Sequence, residues 1–268
     1  MERPPAARSG GDAMAVPDPS VSELMAVVMA RGFRDGEVVV MGAVPALPLA
    51  ACRLARALHA PNLWYIVGGS GTVNAAPDSL PSSSCDPALA PAPCVLPLPD
   101  VVLLEGRGDA LDVFCAGGLQ IDAYGNCNLV AVGPWAGPAL RGPGSVGLPF
   151  LPAVGRSVIY TMVHDPRTFV ERVDFVSGPG HPGGPDEARE YRRDGPTCVV
   201  TPLATLGFDP TSRRMRLASV HPGVEEEEVR SATGFELANG GEVVETPPPT
   251  EHELETLRRI DPTGVLRR

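Results

Sequence analysis

Two short apolar runs, joined by a glycine pair and a polar turn, constrain this chain more than any other stretch. The first run is Leu111-Asp112-Val113-Phe114-Cys115-Ala116 and the second is Leu129-Val130-Ala131-Val132-Gly133. Both are short and rich in β-branched or aromatic residues, which predicts buried strands. Between them lies Gly117-Gly118-Leu119-Gln120-Ile121-Asp122-Ala123-Tyr124-Gly125-Asn126-Cys127-Asn128. A glycine pair at a strand end lets backbone N–H groups approach a ligand, because no Cβ stands in the way. Gln120, Asp122, Asn126 and Asn128 crowd amides and a carboxylate around the Tyr124-Gly125-Asn126 turn. The plainer reading is a tight hairpin with Asx-turn chemistry, which suffices for a lone Gly-Gly or Gly-Asn pair.

The rest of the chain predicts alternating helices and strands. Ser20 and Glu23 have the spacing of a capping box, and apolar residues at 21, 24, 25, 28 and 29 continue it as a helix to near Gly32. Glu37 to Met41 is a predicted strand, Pro45 to His59 a helix with Pro48 in its first turn, and Asn62 to Val67 a second strand. That order makes one β-α-β unit, and open α/β sheets bind ligands at the carboxyl ends of such strands. Residues 75–100 are rich in Pro, Ser and Ala and predict an irregular surface excursion near the site. Strands are expected at Ser157 to Val163, Val170 to Val176 and Cys198 to Thr201. A hairpin is expected from Thr205 to Val220 around Asp209-Pro210-Thr211-Ser212. Residues 178–196 form a polar loop. Thr250 and Glu253 cap a last helix through Ile260. Residues 1–19 are expected to be a disordered extension, with Met14 as an alternative start, and residues 20–265 a single domain.

Composition excludes several chemistries. The net charge is −10 and no basic cluster exists for nucleic acid. All 22 basic residues are arginine, so Schiff-base chemistry and a Walker lysine are absent. The six cysteines form no C-x-x-C pair and no histidine stands at metal-ligand spacing, so neither a metal nor a disulfide framework is expected. This fits a reducing, cytoplasmic setting. No apolar run reaches the roughly 18 residues that span a membrane.

The string from Gly117 to Asn128 resembles the beta subunits of class I CoA-transferases, in particular the glutaconate CoA-transferase branch. Gly117, Gly118, Gln120, Ile121, Asp122, Tyr124, Gly125, Asn126 and Asn128 carry the likeness. Val173-Asp174-Phe175-Val176-Ser177-Gly178, Leu206-Gly207-Phe208, Ser219 to Val224 and Ala232-Thr233-Gly234-Phe235 extend it over roughly residues 20–265. The resemblance implies an α/β fold of the CoA-transferase (NagB/RpiA-like) type. That is a mainly parallel open sheet with helices on both faces, here with a late antiparallel hairpin. It implies an alpha-type partner in a heterodimer or heterotetramer, an acyl-CoA substrate and no separate cofactor. Gly117 and Gly118, with Gly68, are then thioester-pocket residues. Their N–H groups are candidate oxyanion donors, and Gln120, Asp122 and Asn126 shape or support the pocket.

The resemblance also exposes a departure. In that family the end of the second strand carries a glutamate that attacks the thioester, forms a mixed anhydride and then a glutamyl-CoA thioester. Here the strand ends in Gly68-Gly69-Ser70-Gly71, and the glutamate's place falls at Gly69, within one residue. Asp78 and Asp86 are the nearest acids. Ser70 is the one nucleophilic side chain beside it, although a turn serine is the simpler reading. Three explanations stand: the pocket serves other chemistry, the partner supplies the base, or the chain is a non-catalytic acyl-CoA-binding partner. The first has precedent in relatives that are ring-cleaving hydrolases of steroid-derived CoA thioesters or decarboxylases of glutaconyl-type thioesters. The decarboxylase kind has a cysteine near the glutamate position, which this chain also lacks. Outside this region, His164 and Asp165 suggest a base dyad, but adjacent side chains diverge and a polar strand exit is the plainer account. Arg167 or Arg172 is a candidate for pairing with an acyl-CoA carboxylate or phosphate.

Overall fold

The computed structural model of the protein describes residues 18–181 and 195–268. Most of the expected N-terminal extension, Met14 included, and the middle of the 178–196 loop lie outside the described residues.

Helix α1 spans Val21–Arg31, and both halves of the Ser20–Glu23 capping box form. Strand β1 (Val38–Met41), helix α2 (Ala46–Leu58) and strand β2 (Trp64–Val67) follow as expected. β1 and β2 run parallel, with Met41 opposite Val67. Two short strands extend that edge: β3 (Thr72–Val73) pairs antiparallel with β2, and β4 (Cys94–Val95) pairs antiparallel with β3. Helix α3 (Leu98–Gly106) then leads into β5 (Val113–Ala116), which lies parallel to β1 on its other side.

The glycine-pair string forms a separate small sheet. β6 (Gln120–Asp122) and β7 (Cys127–Asn128) are its hairpin. The run expected as a strand over Leu129 to Gly133 shortens to β8 (Ala131–Val132), paired with β9 (Leu140–Arg141). β10 (Arg156–Tyr160) returns to the main sheet beside β5.

The strand expected over Val170 to Val176 is corrected to β11 (Phe169–Val170), which pairs with β6. Beyond it the side chains serve partners outside any ladder. Glu171 pairs with Arg214 at 2.7 Å, and Asp174 accepts from Gln120 Nε2 and Gly133 N, each at 2.9 Å. Those anchors bend the backbone away from extended pairing.

β12 (Pro196–Val200), β13 (Ala204–Phe208) and β14 (Met215–Val220) complete the expected late hairpin, followed by α4 (Glu226–Ala232), β15 (Val244–Glu245) and α5 (Glu251–Ile260). The main sheet has ten strands in the order β15-β14-β13-β12-β10-β5-β1-β2-β3-β4. Its centre, from β12 to β2, is parallel.

Strand alternation divides the core in two. Val39, Met41, Val67, Val113 and Cys115 face α1, α2 and α5. Val40, Ile66, Phe114, Ala116 and Ile159 face the other way, toward Val101 of α3, Val229 of α4, Leu148 and Leu151 of a 3-10 segment, and the small sheet. Helices therefore occur on both faces, but the second face is covered mainly by β and turn structure.

Candidate functional site

Met41 pairs with Val67 on one side and with Cys115 on the other, so three parallel strands end at one level. The chain leaves them at Gly42, Gly68 and Ala116–Gly117. Two inter-strand spacings put Gly68 and Gly117 roughly 10 Å apart, with the end of β1 between them. This is the crevice where an open α/β sheet takes its ligand.

Segment 75–93 lies across the crevice at β2. Ser84 N donates to Ala43 O, at the exit of β1, at 2.9 Å. That bond brings Ser84 against Gly69. A Cβ on Gly69 would overlap Ser84 Oγ, lie 2.9 Å from Ser84 Cβ and 3.5 Å from Cys85 Sγ. The space a side chain at position 69 needs is therefore already filled. The nearest acids in sequence do not fill the gap. Asp86 caps a short turn at Ala88 N, and no hydrogen bond or ion pair joins Asp78 or Asp86 to the strand end among the described residues. Ser70 Oγ bonds within its own turn, to Thr72 Oγ1 at 2.9 Å and Val67 O at 3.3 Å. No histidine is hydrogen-bonded to it among the described residues.

On the other flank, Gly117 and Gly118 are half-buried. A Cβ on Gly118 would stand 2.7 Å from Gln120 O and 3.1 Å from Asn128 O, so the loop folds back onto its hairpin only because that residue is glycine. The polar side chains that follow are drawn together, but toward one another. Asp122 Oδ1 accepts from Tyr124 N and Asn126 N at 3.0 Å, and both its oxygens accept from Asn126 Nδ2. Asn126 Oδ1 accepts from Gly180 N at 2.8 Å. Gln120 Oε1 accepts from Asn128 Nδ2 and Asp174 N. Asn128, fully buried, also bonds Ala131 O and the amides of Val130 and Ala131. Burial raises the Asp122 carboxyl against the opposing pull of these bonds. The hairpin is thus the Asx-turn structure that the plainer reading expects. The glycine pair itself follows directly on β5, at the level where the three parallel strands end.

The His164–Asp165 dyad does not form. His164 Nδ1 and Nε2 bond the hydroxyls of Thr201 and Thr233 at 2.9 and 3.1 Å, and its ring stacks on Phe169. Burial lowers its pKa to about 4. Asp165 instead pairs with the exposed Arg167 and receives the Thr168 amide. Among the described residues no cluster of His, Cys, Asp and Glu could hold a metal, all six cysteines are free, and no helix is long and apolar enough to cross a membrane.

One carboxylate at this edge escapes the sequence reading. Glu105, near the end of α3, is only 5% exposed. Its Oε1 lies 3.7 Å from where a Cβ on Gly68 would stand, and both oxygens lie within 2.9 Å of the corresponding point on Gly147. Among the described residues it makes no hydrogen bond and no ion pair. Burial alone raises its pKa from 4.5 to about 7. Its oxygens keep some solvent contact, since the side-chain atoms enclosed without a partner among the described residues are Arg156 Nη1 and Thr205 Oγ1. One sequence signal could have found it: Glu105 is four residues after the core-facing Val101, hence on the same helical face.

The fold recurs in known proteins. Residues 99–232 match the family model described as Coenzyme A transferase. Over 245 residues the chain is 33% identical to the B subunit of 3-oxoadipate CoA-transferase from Pseudomonas knackmussii, covering 90% of this chain and 93% of that one. It is 30% identical over 247 residues to the cholesterol ring-cleaving hydrolase IpdB subunit of Rhodococcus jostii, covering 91% and 93%. The crystal structure of glutaconate coenzyme A-transferase from Acidaminococcus fermentans superposes with a TM-score of 0.83 at 31% identity, covering 93% of this chain and 98% of that chain.

Proposed function

This chain belongs to the coenzyme A transferase family, and we propose that it is the B-type subunit of an enzyme that cleaves or decarboxylates an acyl-CoA thioester rather than passing coenzyme A to a second acid. The observation that carries this reading is the filled strand end. Ser84 occupies the room that a side chain at position 69 requires, and Gly68, Gly69 and Ser70 offer no carboxylate. A glutamyl-CoA intermediate has no anchor there. Hydrolytic or ring-cleaving chemistry needs only an activated water and a polarised carbonyl, and decarboxylation needs only a stabilised carbanion. Gly117 and Gly118 supply candidate oxyanion donors on the opposite flank. Asp122 and Asn126 hold that loop in shape through their mutual hydrogen bonds, and Gln120 does so through Asn128 and Asp174.

An A-type subunit completes the site, in a heterodimer or heterotetramer. This is supported by the relatives that are themselves B subunits and by the open crevice at the carboxyl ends of the strands. The thioester is substrate, and no separate cofactor is called for. Six free cysteines, four of them buried or half-buried, suit a reducing cytoplasmic setting.

The test is to co-express this chain with an alpha-type subunit of the same family and incubate the complex with glutaconyl-type and steroid-derived acyl-CoAs. Mass spectrometry follows the thioester with and without acetate. Conversion without acetate supports the reading. Acetate-dependent formation of acetyl-CoA contradicts it. Binding without turnover favours the non-catalytic partner, a reading that the inward-facing polar groups of residues 120–128 would then explain.

A further inference from the structure

We propose that Glu105 is the proton-transferring carboxylate of this site, standing on α3 in place of the strand-end glutamate that position 69 does not carry. The inference rests on the thioester-cleaving reading and names the group that performs it.

Placement is the first argument. Glu105 reaches the carboxyl end of β2 from the second face of the sheet, between the Cβ positions of Gly68 and Gly147. A Cβ at Gly147 would crowd the carboxylate, lying 2.8 Å from Oε2 and 2.9 Å from Oε1, whereas one at Gly68 would touch Oε1 at an ordinary 3.7 Å. Gly147 leaves it room beside Gly68, at the strand end where ligands of such sheets bind.

The second argument is the missing partner. A glutamate 5% exposed is ordinarily paired or hydrogen-bonded, and Glu105 is neither among the described residues; its oxygens are not among the enclosed partnerless atoms, which are Arg156 Nη1 and Thr205 Oγ1, so the carboxylate keeps contact with solvent. Compare Glu23, equally buried, whose carboxylate is held by Arg258 at 2.8 Å and by the Ser20 amide at 2.9 Å. A structural glutamate in this chain looks like Glu23. A largely buried carboxylate that has no protein partner among the described residues and keeps solvent contact at a ligand crevice is instead a group available for proton transfer. Its surroundings fit that task. No charged or titratable side chain of β1, β2, α3 or the 3-10 segment at Leu148–Ala153 contributes to its shift, and burial alone brings its pKa to about 7. Near neutral pH it can both take and return a proton.

In hydrolysis the Glu105 carboxylate takes a proton from water as the water oxygen bonds to the substrate carbonyl carbon, whose π electrons move to the carbonyl oxygen. When the carbonyl re-forms, the adjacent C–C or C–S bond breaks and its electron pair leaves on carbon or sulfur. The Glu105 carboxylic acid then returns the proton to that leaving group.

The experiment compares Glu105→Gln with wild type in the assembled complex, reading kcat, KM, the pH profile and the size of the assembly. Glutamine keeps the shape and removes the titration. The expected result is a kcat lower by roughly 10²–10⁴-fold with KM little changed, loss of the acid limb that wild type shows near its carboxylate midpoint, and partial recovery in Glu105→Asp. Turnover and pH profile unchanged in Glu105→Gln, while wild type cleaves the thioester, overturn the inference and leave the functional reading intact. Failure of the variant to assemble with the A-type subunit also overturns it, making Glu105 an interface group. A wild-type complex that converts no thioester overturns the functional reading itself, and this inference with it.

Discussion

Replacing Glu105 by glutamine should change how stability depends on pH, whatever the substrate. Burial holds the folded carboxyl at about 7, against an ordinary value of 4.5 in the unfolded chain. The raised folded value means that the fold favours the protonated form. Below the unfolded value both states carry the proton and Glu105 imposes no electrostatic penalty. As pH rises from there, the unfolded chain ionises first and gains on the folded one. Above the folded value both are ionised and the penalty is complete. A difference of this size corresponds to about 3 kcal/mol lost by wild type across the window. Glutamine has no such titration, so the two proteins should diverge as pH rises and run parallel at either end. The assay is urea unfolding of the full chain at intervals from about pH 4 to about pH 8.5. The midpoint of wild type relative to the variant should fall by about 1–2 M urea over that range. Taking the difference cancels the other titrating groups, such as the buried His164, which lies elsewhere in the fold. A constant difference between the two curves would refute the reasoning, because it would mean that Glu105 is solvated or already paired.

Two other perturbations probe the crevice's flanks. Gly69→Ala should cost about 1–3 kcal/mol of stability because the new Cβ meets Ser84, and adding Ser84→Gly should recover most of it. Equal costs with and without the second change, in thermal unfolding, would sink the steric account. Asn128→Ala should cost about 2–4 kcal/mol by leaving the Val130 and Ala131 backbone groups without the side chain that now bonds them. A loss well below about 1 kcal/mol in urea unfolding would show that the hairpin does not depend on this residue.

Local signals in the chain carry much of the architecture. The capping boxes at Ser20 and Thr250 form because their partners sit three residues away. The β1-α2-β2 unit and the β13–β14 hairpin follow from apolar periodicity and turn chemistry. The glycine-pair string is legible both as a hairpin and as a family signature, since its partners are mostly within the string. The expected strand at Val170 to Val176 fails for the opposite reason. Glu171 and Asp174 find Arg214 and Gln120 far away in sequence, and those anchors outrank local β propensity. At the site, Gly69 announces an absent carboxylate but not what fills the space. Ser84 comes from an irregular segment with no periodic pattern, and Glu105 from a helix whose apolar run is only four residues long, Val101 to Leu104. Contacts of this kind depend on tertiary placement, which neither composition nor spacing encodes.

The most direct test of the central claim is the intact mass of this chain during a single turnover, with the complex in excess over acyl-CoA. The account predicts that product forms while the mass of the chain stays unchanged at every time point. A chain that transiently gains the mass of coenzyme A less one water, on any of its carboxylates, would contradict it and restore the covalent glutamyl route.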